Sequence, residues 1–153
     1  MATVEEIQAK LTALIANLSP QVRRQLGRKI GQALRKSQSN RIARQQNPDG
    51  TAFEPRKPRK EFGKKKGRIK RKAMFAKLRT ARHLKARSNG NEVSVGFNGS
   101  SAAIAAVHQY GLTARPSKEK DFKVRYAQRE LLGISEQDLS MLNELVIEQI
   151  SKS

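Results

Sequence analysis

The sequence contains no cysteine, which excludes a disulfide framework, a thiol nucleophile and a thiolate metal site. Acids are scarce: 13 Asp and Glu stand against 32 Lys and Arg, a formal net charge of +19. Self-repulsion on that scale opposes a solitary compact particle and favours association with an anion or an acidic surface. The longest apolar run is the six residues Ala102–Val107, far short of the ~20 needed to span a bilayer, so no membrane partner is expected. The first ten residues carry acids where a secretory signal carries bases, and the expectation is a soluble protein made in the cytoplasm.

Catalytic and metal chemistry has little material. The two histidines, His83 and His108, lie far apart in the chain with no cysteine to join them, so a hydrogen-bonding role is expected rather than metal ligation. No serine lies in a Gly-x-Ser-x-Gly elbow, and no glycine-rich loop has the spacing that cradles phosphates. Glu144 and Glu148 are an i, i+4 carboxylate pair, which reads more simply as a solvated acidic face. No enzymatic activity, cofactor or metal is expected.

What is present is an uneven charge. Residues 56–87 hold 16 Lys and Arg and a single acid, Glu61, whereas residues 130–151 hold five acids and no base. Aromatic residues near the basic run are few, Phe53 and Phe62 before Phe75. Phosphate neutralisation would suit such a run, but stacking platforms for single strands are thin. A basic nucleic-acid binder without sequence preference is therefore one reading. A solvated, flexible segment is another. A third uses the asymmetry: a cationic arm and an acidic helix on one chain suit head-to-tail contacts between identical subunits, which close into rings when the rotation permits.

Along the chain, Val4, Ile7, Leu11, Leu14, Ile15 and Leu18 form an apolar stripe at helical period, predicting a helix over 3–17. Ser19-Pro20 starts a second helix that runs to about 46. Its Gly27 and Gly31 predict a close helix–helix crossing, giving a helical hairpin over 1–46. Asn47-Pro48-Asp49-Gly50 ends it. Residues 47–72 read as an extended basic arm, too polar to offset its own ordering entropy. Residues 73–153 read as an α+β core. It holds a short helix over 73–82, a hairpin turning at Asn89-Gly90 with Val93, Val95 and Phe97 alternating, and an Ala-rich helix closed by Gly111. A third strand follows at Phe122, Val124 and Tyr126, then a final helix capped by Ser135 with Asp138 at the capping-box position. Leu139, Leu142, Leu145, Val146 and Ile150 should be its inner face, and Met141 and Ile147 widen the apolar arc. The whole is a single α+β domain, a small antiparallel sheet covered by helices.

Three blocks also carry a resemblance: RIARQQNPDGTAFEPRK at 41–57, VSVGFNGSSAAIAAVHQYGL at 93–112 and VRYAQRELLGIS at 124–135. In this order and spacing they resemble the phage virion morphogenesis family. The signature residues are His108, Gln109, Tyr110 and Gly111, then Arg129, Leu131, Leu132 and Gly133. Ala127 departs from the pattern, since relatives often have proline there. The resemblance implies a structural assembly protein that acts late in tail maturation at the head-proximal end, so that tail and head can join. It implies a small α+β fold that forms a ring, commonly hexameric, around the DNA channel. Partners would be copies of the chain itself, the adjoining tail tube or terminator and head-connector proteins, and DNA passing through the lumen. The location implied is the tail or neck of the virion, and the host cytoplasm during assembly. On this reading Phe53 and Phe62 anchor the arm on a neighbour. Arg56, Lys64, Lys65, Lys66 and Arg68 steer it toward an acidic surface such as Glu144 and Glu148.

Overall fold

The computed structural model describes residues 13, 15–56, 73–116 and 119–152. Of the helix expected over 3–17, only Ala13, Ile15, Ala16 and Asn17 fall among them; the first three are helical and Asn17 is in a turn. Helix α1 spans Pro20–Ala43. Ser19 caps it: its Oγ accepts from the Val22 amide at 3.3 Å and its carbonyl accepts from Arg23 at 2.9 Å. The hairpin follows as β1, Leu84–Ser88, and β2, Val93–Phe97. Next come helix α2, Ser100–Tyr110, the short strands β3, Thr113–Ala114, and β4, Val124–Arg125, and helix α3, Glu136–Lys152. The described chain is α+β. Its strands form two separate two-stranded antiparallel ribbons. The strand expected at 122–126 pairs with Thr113–Ala114, not with the hairpin, and Phe122 lies outside it and is exposed.

The described residues fall into two compact units. One comprises the chain up to Lys36, Ala86–Val95 and Glu136 onward; the other comprises Ser37–Lys85 and Gly96–Ser135. In the first unit, the close approach at Gly27 and Gly31 is to the hairpin. A Cβ on Gly27 would stand 3.4 Å from Ser88 Cβ and from the Asn89 carbonyl oxygen. One on Gly31 would stand 3.3 Å from Ala86 Cβ and 3.4 Å from Val93. The expected helix–helix crossing is thus a helix–hairpin contact: small residues let the hairpin backbone come close. Asn89 builds the hairpin loop itself, its Oδ1 accepting from the Asn91 and Glu92 amides at 2.7 and 2.9 Å. On α3, Leu142, Leu145, Val146 and Ile150 of the expected inner face are half-buried or buried. Asp138, Val146 and Gln149 are buried, whereas Leu139 and Ile147 are exposed. Lys29 of α1 donates to Gln149 Oε1 at 3.3 Å.

In the second unit, Ile42, Phe53, Met74, Ala105 and Leu131 form a buried cluster against which Phe75, Leu78 and Phe97 pack. Full burial of each large apolar side chain contributes about 1.5–3 kcal/mol. Residues 73–82 are turns, not a helix. Phe75 has φ 67°, a left-handed conformation that breaks a right-handed helix at the point where it would start. Ring packing against Phe53, with centroids 5.8 Å apart and planes at 89°, holds it there. Helix α2 ends as expected at Gly111, whose φ of 65° lets the Leu112 amide reach the Val107 carbonyl at 2.8 Å.

The turn at 47–50 packs against residue 133. A Cβ on Gly133 would lie 2.3 Å from Pro48 Cγ, closer than atoms tolerate. Gly133→Ala should therefore destabilise the fold by about 1–3 kcal/mol. Pro48→Ala should recover part of that loss in the double variant, and urea unfolding of the four proteins measures the coupling. Strictly additive effects would contradict the contact.

Candidate functional site

Residues 126–135 lie outside helix and strand, and side chains meet the amides of 130–133 and the carbonyls of 130–132. The Gln109 amide accepts from the Leu131 and Leu132 amides with its Oε1, both at 2.9 Å, and donates from Nε2 to the Leu132 carbonyl at 2.9 Å. Asn47 Oδ1 accepts from the Glu130 amide at 2.9 Å, and Gln38 Oε1 accepts from the Gly133 amide at 3.1 Å. Arg41 is buried in the same place. It donates to the carbonyls of Gln46, Glu130 and Leu131 at 3.0–3.1 Å and to Gln38 Oε1. Buried amides and carbonyls outside helices and sheets need such partners, because leaving one unmet costs about 1–3 kcal/mol.

The three sequence blocks therefore converge. The first block reaches the others through α1 and its end. Gln45, with φ 57°, closes α1 without a glycine. Its side chain donates to the Ile42 and Met74 carbonyls at 2.8 and 2.9 Å and accepts from the Met74 amide at 2.8 Å. Its own carbonyl accepts from Phe53 at 2.8 Å. The second and third blocks meet where the Arg129 amide donates to the His108 carbonyl at 2.8 Å. Arg129 Nε and Nη2 donate to the Glu54 and Pro55 carbonyls at 2.7 and 3.2 Å, so the third block also holds the first.

Each expected site residue has a definite place or none here. Gln109, Gly111, Arg129, Leu131, Leu132 and Gly133 belong to this network or its close contacts. Tyr110 is 68 % exposed and lines a shallow apolar groove of about 190 Å³ with Phe97, Ala102, Ala105, Ala106, Gln109 and Leu132. Phe53 requires a correction: at 4 % exposure it is part of the chain's own core and has no surface left for a neighbour. Residues 51–55 are likewise not free arm, since Asn47, Gln45 and Arg129 hold their backbone. Arg56 is exposed. Phe62, Lys64, Lys65, Lys66 and Arg68 lie outside the described residues. Glu144 and Glu148 are exposed on α3, where Glu148 pairs with Lys152 at 2.9 Å. Hydrogen bonding to Lys152 holds the Glu148 carboxyl below its ordinary range.

Sequence reasoning missed Gln38, Arg41 and Gln45 as the organising side chains. Their signal was spacing: polar residues at 38, 41 and 45 share one helical stripe with Leu34 and Ile42, a face that should be apolar. Among the described residues, no group of three or more His, Asp or Glu is placed to hold a metal, and no helix is long and apolar enough to cross a membrane. His83 shares a 2.5 Å hydrogen bond with Ser101 Oγ.

His108 stands edge-on between two rings, 4.8 Å from Phe75 and 5.0 Å from Tyr126. Its buried Nδ1 has no hydrogen-bond partner among the described residues. Burial first, then the Arg129 and Arg56 charges, lower its proton affinity below the ordinary histidine value. The unfolded chain then takes up this proton at a higher pH than the folded one. The associated stability is complete above the unfolded value of ~6.5 and falls as pH drops through it. His108→Phe should keep the ring contacts and flatten this acid-side loss in urea unfolding between pH 5 and 8. An unchanged pH slope would contradict the assignment.

A model of the phage virion morphogenesis family matches residues 2–151. The chain is 39% identical over 153 residues to tail completion protein S of Escherichia phage P2, covering 99% of this chain and 100% of that protein. No solved structure matches the chain. With its three signature blocks interlocked and its length matched from end to end, the chain belongs to the phage virion morphogenesis family.

Proposed function

We propose that this protein completes the phage tail at its head-proximal end, assembling there into a ring on which head and tail join. The observation that carries the reading is the end-to-end similarity to a protein named for tail completion. Its role is structural: of the signature residues, Gln109 and Arg129 spend their polar atoms on backbone groups, which organises a subunit.

Two surface properties support association. Ile104, Tyr110, Leu112, Phe122 and Ile134 are large apolar side chains left exposed in the second unit, and Ile147 is 59 % exposed in the first. Around Ile147, α3 shows Glu136, Glu144 and Glu148 to solvent. The net charge of +19 is concentrated elsewhere in the chain. A neighbour's Lys64, Lys65, Lys66 and Arg68 meet this acidic face, and Phe62, not Phe53, is the arm's apolar anchor. The Glu148–Lys152 pair is exposed, where solvent and salt screen an ion pair, so exchanging it for an intermolecular pair costs little. Partners beyond the ring are the adjoining tail and head-connector proteins.

Nuclease-treated protein should appear as closed rings in negative stain and as one oligomer in light scattering. Reversing charge in Glu144→Lys/Glu148→Lys should weaken assembly by about tenfold or more, and Phe62→Ala should do the same. A persistent monomer that binds any duplex with a steep salt slope would establish the nucleic-acid reading instead.

A further inference from the structure

Arg129 is 6 % exposed, and its guanidinium is spent on neutral partners, the carbonyls of Glu54 and Pro55. Carbonyl oxygens satisfy its donors but leave its positive charge uncompensated. Burial and the charge of Arg56 both weaken its hold on its proton, and only Glu54 acts in the other direction. Glu54 nevertheless forms no ion pair with it; among the described residues the one ion pair is Lys152–Glu148. The chain leads from Pro55, held by Arg129, directly into Arg56, which is exposed. The His108 main chain is hydrogen-bonded to that of Arg129, and its ring is fixed by Phe75 and Tyr126. Arg56 thus follows directly on the residue that Arg129 holds, beside His108, and among the described residues no carboxylate is bonded to any of the three.

We propose that Arg56, Arg129 and His108 form a binding site for a phosphate-class oxyanion at the base of the basic run. Arg129 is positioned in advance by its two carbonyl contacts, so little ordering remains to be done on binding. Arg56 supplies a second planar fork, and forked donors match tetrahedral oxyanions through paired hydrogen bonds. A single carboxylate stands close by in Glu54 and does not pair with Arg129. A dianion that bridges both forks is the better match. Binding would also offset the positive charge that the two arginines now place beside His108.

The test reads the imidazole of one subunit, so it is independent of whether rings form. Inorganic phosphate is titrated into the full-length protein at constant ionic strength, and the His108 side chain is followed by NMR across pH. Phosphate should raise the His108 titration midpoint by about one pH unit. Arg56→Gln, a change at an exposed side chain, should weaken that response by about tenfold or more. Arg44→Gln, at another exposed arginine, should leave it intact. A midpoint that ignores phosphate, or that moves equally in Arg56→Gln, overturns the site. A short DNA duplex is the second arm. If it reproduces the Arg56-dependent shift, the phosphate belongs to a nucleic-acid backbone; if only the free ion does so, the ligand is phosphate or a small phosphorylated molecule. Either result upholds the oxyanion site.

Discussion

The stretch from Ala127 to Gly133 has neither helix nor ribbon to satisfy its backbone, yet Leu131 within it is fully buried. Water cannot serve those amides and carbonyls, so side chains must. Gln109, Asn47 and Gln38 accept from four consecutive amides, 130 to 133, while Arg41 and Gln109 donate to carbonyls of the same run. Everything else in the second unit follows from this arrangement. It sets Leu131 into the apolar cluster with Ile42 and Phe53. It also places Arg129 where it can hold residues 54 and 55. Such a network is unforgiving, because in a low-dielectric interior each unmet partner costs more than its bond would add.

The same network shows what buried cations do among the described residues. Its two buried arginines, Arg41 and Arg129, act as donors to carbonyl and amide oxygens. Guanidinium suits that use, since it presents several donors in a fixed plane and never loses its charge. For Arg129 the cost is a charge with no carboxylate bonded to it among the described residues. That excess is available for partners outside the subunit: an acidic helix face, an oxyanion, or both. The proposed association and the proposed oxyanion site both draw on this use of cations to stabilise backbone.

Local chemistry was legible in the sequence wherever a residue acts on its immediate neighbours. Ser19 caps α1, Gly111 closes α2 and Asn89 turns the hairpin, all through interactions spanning a few residues. The α+β class and the three signature blocks were also visible. What was not legible depends on contacts distant in the chain. Phe53 looked like part of a polar arm because its neighbours are polar; its burial comes from Met74, Ile42 and Leu131. The apolar residues Met74, Phe75 and Leu78 have helical spacing, but the left-handed backbone at Phe75 is set by tertiary packing. The glycines at 27 and 31 announced a close contact without saying that the hairpin makes it. On α3, the burial of the polar Asp138 and Gln149 beside Val146 was not legible, nor was the exposure of Leu139.

Native-state hydrogen exchange tests the clamp most directly. The amides of Glu130, Leu131, Leu132 and Gly133 lie in extended chain, where unprotected groups exchange fast. With side chains of α1, α2 and the 47–50 turn holding them, they should exchange as slowly as the interior amides of α2. Arg41→Met should release all four together. Exchange of these four amides at the rate of an exposed loop in the unaltered protein would contradict the account.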